Sequence, residues 1–382
     1  MNENVKAILA QLVAFDTTSY KSNLDLIHYI KELLQSYGLE PKLIHDASGK
    51  KANLYACLPA QTKGGIILSG HTDVVPVDGQ AWTFPPFELT EQDGRYYGRG
   101  TTDMKGFIAC VLASLPLFLS ADLKMPLHFA FSYDEEVGCL GVGHLIDQLK
   151  LMDDKPDFCI IGEPTQMQAI YGHKGKVAMR CQIHGHACHS AYAPQGVNAI
   201  EYAAKMMSKI ISVADGLKAT QDKNFDPPFS TMQVGVIRGG SALNIVPQLC
   251  EFDFEIRHLP NSKPDIALTE IANYASDILL PEMQAVHQAT HIEFSQLSRY
   301  PGLLTDVKLP FAQNLAKWSD SKDFSTVAFG TEGGLFQDAG ITTLVCGPGN
   351  MEQGHKPDEF IAIEQLEKCQ TMLTKLHQWL KA

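Results

Sequence analysis

The strongest constraint on the fold is the way short β-like runs, each closed by Gly, Pro or Asp, alternate with helical stretches. Two helices open the chain, at 5–15 (Val5, Ile8, Leu9, Leu12 and Val13 at helical spacing) and at 23–37, where Gly38 is the stop signal. The runs 53–58, 65–69, 127–132, 157–161 and 342–346 then read as strands. A long apolar helix is expected over 105–119, between the second and third of these, and another over 141–149, between the third and fourth. Strands that alternate with helices form an α/β sheet covered on both faces.

The pattern changes between about 176 and 298, where the order reads strand (176–184), helix (198–212), strand (231–238), strand (248–257), helix (265–280), strand (290–297). That is βαββαβ, the ferredoxin-like plan. The expected organisation is a catalytic α/β domain in two parts, 1–175 and 299–382, interrupted by an inserted domain over 176–298.

The 382 residues suit two to three domains and read as an entire protein. Hydrophobic residues at 45% and charged residues at 19% exclude disordered, collagenous and coiled-coil classes. The net charge of −12 would be repelled by phosphate backbones and anionic lipid, so neither nucleic acid nor a membrane is expected as partner. Nine scattered cysteines, never spaced C-x-x-C, signal neither a disulfide framework nor a thiolate zinc site. The start lacks the apolar core of a signal peptide, and the apolar stretch 107–119 is too short to span a bilayer, so a cytoplasmic protein is expected.

In open α/β sheets, ligands bind beyond the carboxyl ends of the strands. There the sequence is consistent: 65–69 runs into His71 and Asp73, 127–132 into Asp134-Glu135-Glu136, 157–161 into Glu163, and 342–346 into a Gly-Pro-Gly loop that reaches His355. Asp103 sits where the loop Gly98-Arg99-Gly100 turns into a helix. Each has a plainer reading alone: Asp103 as a helix cap, 134–136 as a solvated acidic turn, His355 as an exposed loop residue. Five loops delivering imidazole and carboxylate to one rim are not explained that way. Imidazole and carboxylate without thiolate suit Zn²⁺, Co²⁺ or Mn²⁺, and the set suffices for two cations sharing a bridging carboxylate with an acidified water between them. Such a site serves attack on a carbonyl or phosphoryl group.

Ser69-Gly-His71-Thr-Asp73-Val-Val-Pro76, Gly98-Arg-Gly-Thr-Thr-Asp103-Met-Lys-Gly106, Asp134-Glu-Glu136-Val-Gly138, Gly162-Glu163-Pro164 and Gly185-His-Ala-Cys-His189-Ser190 resemble, in order, the motifs of the M20 dinuclear zinc amidohydrolases and peptidases. The resemblance spans nearly the whole chain. It implies a mixed-sheet catalytic domain of zinc-exopeptidase type, an inserted lid and dimerisation domain, and two Zn²⁺ per subunit for which Co²⁺ can substitute. It makes Asp103 the bridging ligand, with His71 and Glu163 on one cation and Glu136 and His355 on the other. Asp73 is then expected to hydrogen-bond the far nitrogen of His71, and Glu135 to be the general base. The resemblance also implies a cis peptide after Asp103.

From the lid, the resemblance makes His189 an oxyanion donor that reaches the other subunit of a homodimer, and gives Asn244, in Gly239-Gly-Ser-Ala-Leu-Asn244-Ile-Val-Pro247, and Arg257 to the substrate α-carboxylate. Taken alone, His189 beside Ser190 reads as a loop pair, and Arg257 as a surface ion-pair residue. Gly330-Thr-Glu332-Gly333-Gly334 and the segment from Cys346 to Phe360 look most like the branch that deacetylates N²-acetyl-L-ornithine. The desuccinylating branch tends to carry a Gly-Gly-Thr-Ser-Asp type segment instead. A carboxylate such as Glu332 in the pocket favours a substrate with a side-chain ammonium. A desuccinylase, another N-acyl amino acid deacylase or dipeptidase, and a catalytically silent binding protein of the same fold are the competing expectations.

Overall fold

The computed structural model describes residues 3–382, which divide into two compact units. The first comprises the chain up to His173, Leu303–Thr326 and Thr331–Ala382; the second comprises Lys174–Gly302 with Val327–Gly330.

The first unit is built on a mixed sheet. Its strand order is Lys42–His45, Ala52–Leu58, Leu127–Ser132, Ile66–His71, Phe158–Pro164, Thr342–Gly347, Ile170–His173 and Leu303–Leu304, with Ser325–Val327 also pairing onto Ile170–His173. Ile66–His71 runs parallel to both Leu127–Ser132 and Phe158–Pro164, and Thr342–Gly347 is parallel to Phe158–Pro164. These four strands therefore end at one edge of the sheet. They read as continuous apolar runs because both faces are covered: every residue of Ile66–His71 and Leu127–Ser132 is buried.

The fold class is α/β, as the alternation predicts. The helix expected over 105–119 is broken. It follows a turn, Thr101–Lys105, in which Asp103 and Met104 are not helical, runs as Gly106–Ala113 and restarts as Leu115–Phe118, where Pro116 lacks the N–H an uninterrupted helix requires. The apolar stretch Thr101–Phe118 is 89% buried, the behaviour of a core helix. Phe107, Phe118, Phe129 and Phe131 are fully buried with it, each contributing about 1.5–3 kcal/mol of hydrophobic stabilisation. Several elements have no counterpart among the predicted ones, among them the strand Lys42–His45, the helix Pro310–Ser319, a small sheet of Thr90–Gln92, Arg95–Tyr97 and Phe360–Ala362, and the closing helix Ile363–Lys381, which buries Leu366, Cys369, Met372, Leu373, Leu376 and Leu380.

The second unit is a four-stranded antiparallel sheet in the order Thr231–Gly239, Leu249–His258, Gly175–His184, His291–Tyr300. Alternate residues Cys181 and Ile183, and Cys250, Phe252, Phe254 and Ile256, turn inward. They pack on the helix Ala199–Leu217 and on the helical run that opens as Pro264–Tyr274. That run continues past the expected end at 280, through Ala275–Leu279 to Leu280–Val286, because Pro281 falls in the first turn of its last segment, where proline is tolerated.

Candidate metal centre

Four chain segments at the carboxyl edge of the parallel strands carry the candidate residues. His71 is the last residue of its strand and Glu163 the last but one of Phe158–Pro164, and both are buried. Glu135 and Glu136 follow Leu127–Ser132 through Asp134, a left-handed residue (φ 55°) whose carboxylate meets Lys51 Nζ at 2.5 Å. His355 lies beyond Thr342–Gly347, also left-handed at φ 62°. Non-glycine residues in this conformation concentrate where surrounding structure holds a side chain against local preference.

Asp103 lies between the two histidines. Its Oδ1 is 3.1 Å from His71 Nε2 and its Oδ2 is 3.1 Å from His355 Nε2. His355 Nε2 is also 3.0 Å from Glu136 Oε2, and His71 Nε2 is 3.7 Å from Glu163 Oε1. Ligand atoms of His71, Asp103 and Glu136 lie within 4.8 Å of one another, as do those of His71, Glu135 and Glu163. The Asp103–Met104 peptide is cis.

The expected bond from the Asp73 carboxylate to His71 is not made. His71 Nδ1 is instead 2.9 Å from the Asp73 backbone carbonyl and 3.6 Å from the carboxylate, beyond hydrogen-bond range. The Asp73 side chain is engaged elsewhere: Oδ1 accepts the Glu135 backbone N–H at 3.1 Å, and Oδ2 accepts the Glu136 N–H at 3.3 Å and the Ser19 hydroxyl at 2.7 Å. Asp73 therefore fixes the turn that carries both glutamates. Because Nδ1–H donates to a carbonyl, the His71 Nε2 lone pair faces Asp103 and Glu163.

A lone pair aimed at carboxylates requires a cation or a proton between them, and this is the structural observation that fits the cluster to metal. Burial drives the Glu135 and Glu163 carboxyls well above the usual range and the Glu136 carboxyl up to about 7, with neighbouring carboxylates raising them further. Burial would lower His71, yet Glu163 and Asp103 hold it well above its ordinary value. Hydrogen bonds to Asp103 and Glu136 raise His355 to about 10. So dense a set of buried carboxylates would be stabilised by divalent cations, for which His71, Asp103, Glu136, Glu163 and His355 offer donor atoms.

A layer beneath the donors was not anticipated. Glu359 Oε1 accepts the backbone N–H groups of Thr102 and Asp103 at 3.0 and 3.1 Å, while its Oε2 is 2.6 Å from Arg99 Nη1. Both side chains are 1% exposed. Arg99 reaches Gln80 Oε1 at 2.7 Å and lies over the Trp82 ring. Its place in Gly98-Arg99-Gly100, just ahead of Asp103, was the available signal. Gly162 allows another close approach, since a Cβ there would lie 2.0 Å from the Phe107 ring.

Glu332 is 1% exposed at the start of the helix Gly333–Asp338, within electrostatic reach of Glu135 and His71. Burial raises it to about 7, against the pull of the Ser132 hydroxyl. Gly333 is buried, and its N–H donates to the Thr331 hydroxyl at 2.9 Å. The remaining expected residues belong to the second unit. His189 is exposed, and its Nδ1 accepts the Ala191 N–H at 3.1 Å, which leaves the proton on Nε2. Asn244 is exposed, with its carbonyl accepting the Ser190 N–H at 3.0 Å. Arg257 pairs with Glu255 at 3.2 Å and with the Tyr300 hydroxyl at 2.8 Å.

Residues 67–378 match the pattern of peptidase family M20/M25/M40. An acetylornithine deacetylase of Aliivibrio fischeri is 34% identical over 363 residues, covering 94% of this chain and 93% of that protein. Among solved structures, an M20 family metallo-carboxypeptidase of Sulfolobus solfataricus superposes over 100% of both chains with a TM-score of 0.79 at 18% identity. A dinuclear metal binding peptidase of the M20 family from Bacillus subtilis superposes over 99% of this chain and 98% of its own, with a TM-score of 0.68 at 15% identity.

Proposed function

The chain belongs to peptidase family M20/M25/M40, whose hydrolytic action on amide bonds it shares, and we propose that its reaction is deacylation of an N-acyl amino acid, with N²-acetyl-L-ornithine as substrate. The observation that carries the substrate is the 34% identity, over 94% of this chain, to a protein that bears the name acetylornithine deacetylase. The products are L-ornithine and acetate, a step of arginine biosynthesis, and the proposed setting is the cytoplasm.

His71, Asp103, Glu163, Glu136 and His355 would hold two divalent cations, Zn²⁺ or in its place Co²⁺. When bound, these acidify a water and polarise the acyl carbonyl. Glu135 takes the proton from the attacking water and delivers it to the departing amine; its raised affinity for protons, set by burial, suits a group that must hold one in transit. Asp73 keeps Glu135 in place through the backbone. His189, with its proton on Nε2, donates to the oxyanion of the tetrahedral intermediate, from the partner subunit of a homodimer joined through the second unit. The Arg257 guanidinium receives the substrate α-carboxylate, and Asn244 is assigned to the same substrate. Glu332 is near enough to Glu135 for its charge to raise that carboxyl further.

The test is a comparison of kcat/KM on N²-acetyl-L-ornithine, N-succinyl-LL-diaminopimelate, N-acetylmethionine and a simple dipeptide, with Zn²⁺ or Co²⁺ supplied. The highest value on acetylornithine is expected. A higher value on another substrate keeps the chemistry and replaces the substrate, and no turnover on any refutes the enzymatic reading.

A further inference from the structure

The four-stranded sheet of the second unit carries metal-capable side chains that none of the chemistry above uses. His184 ends the strand Gly175–His184, His291 begins the strand His291–Tyr300, and the two are direct partners in the antiparallel ladder. Glu293 lies two residues after His291, on the same face. Cys181 and Ile183 turn into the core, so His184 leaves the face opposite the helices.

The ligand atoms of His184, His291 and Glu293 all lie within 4.8 Å of one another. The two imidazoles stack with centroids 4.2 Å apart and planes 8° from parallel, and His291 Nε2 is 3.3 Å from Glu293 Oε1. His184 Nε2 is buried without a hydrogen-bond partner. A buried ring nitrogen left unpaired is destabilising, and a cation on its lone pair supplies the missing interaction. His186 and His287 form a second stack at 3.7 Å, two residues further along the chain from His184, and His287 Nδ1 is likewise buried and unpaired.

We propose that His184, His291 and Glu293 bind one divalent transition-metal cation, separate from the acidic centre of the first unit. Two imidazoles and one carboxylate select the borderline class of Zn²⁺, Ni²⁺ and Cu²⁺ over Mg²⁺ and Ca²⁺, which take oxygen donors. Directly opposed residues of an antiparallel pair already stand at chelating separation, so the rings need only turn out of their stack while the backbone stays in register. His291–Tyr300 is an edge strand of this sheet, and the cation would clamp its first residues onto the neighbouring strand. Water reaches the site from the side of His291 and Glu293, whose side chains are 48% and 60% exposed.

The experiment counts zinc in the full-length protein after dialysis against a fixed free Zn²⁺ concentration, comparing native chain with His291→Gln and Glu293→Gln. The native protein is expected to retain one equivalent more than each variant at equal turnover. Equal zinc content in all three overturns the proposal, as does a loss that Mg²⁺ dialysis reproduces. The readout is a difference between variants, so it is independent of how many cations the acidic centre takes. Glu293 is exposed, so its variant keeps the comparison informative even where His291→Gln impairs folding.

Discussion

Asp73 and Glu135 are joined through the backbone: Oδ1 of Asp73 accepts the Glu135 N–H at 3.1 Å, and its other oxygen takes the N–H of Glu136. The carboxylate thus aims the proposed base and a proposed ligand together. Asp73→Ala should lower kcat and metal affinity by about 10- to 100-fold, the usual effect of removing a group that orients ligands. Steady-state kinetics with metal content measured in parallel checks this. A change in KM alone would assign Asp73 to substrate binding.

The Arg99–Glu359 pair is sealed from solvent, and Glu359 also holds the backbone that presents Asp103. Arg99→Met leaves a buried carboxylate without its cation, which should destabilise the first unit by about 3–5 kcal/mol. All three tryptophans, Trp82, Trp318 and Trp379, fall in that unit, so fluorescence-monitored denaturant unfolding reports it directly. A shift below about 1 kcal/mol, the scale of an exposed ion pair, would mean that the pair is hydrated in solution.

The clustered residues were legible because each follows a strand: His71, Glu135, Glu136 and Glu163 are reached by asking what lies at the carboxyl edge of a parallel sheet. His355 needed the longer loop after Thr342–Gly347, and Asp103 needed the glycines before it. What the sequence could not report is which atoms meet. The family resemblance implies a bond from the Asp73 carboxylate to His71, but the strand end turns so that the Asp73 carbonyl faces His71 and its carboxylate faces the 135–136 turn. Glu359 supports Asp103 from 256 positions away, a separation no local pattern spans.

Metal binding should release protons. Without metal, burial raises Glu136 to about 7, and hydrogen bonds to Asp103 and Glu136 raise His355 to about 10. Both must be deprotonated to act as ligands. The folded metal-free chain therefore holds more protons than the unfolded one from about 4.5 to 7 at Glu136, and from 6.5 to about 10 at His355. These two groups make its stability fall as pH rises through those windows. Calorimetric titration of Zn²⁺ at pH 6.5 in buffers of different ionisation enthalpy should show proton release. An apparent enthalpy independent of buffer would contradict the assignment.

Gly162→Ala places a methyl 2.0 Å from the Phe107 ring, one residue before Glu163. Overpacking of this kind costs about 1–3 kcal/mol. The variant should lose stability and bind metal more weakly, and Gly162→Ala combined with Phe107→Leu should recover part of both. Failure of the double variant to recover either would place the constraint in the backbone, where Gly347 also packs close.

The most direct test of the proposed mechanism is the turnover of N²-acetyl-L-ornithine by Glu135→Gln at measured metal content. Full metal content with kcat reduced by about 10²- to 10⁴-fold is the predicted result, since the amide cannot carry the proton from water to the leaving amine. Native kcat at full metal content would contradict it and move the proton transfer to another residue.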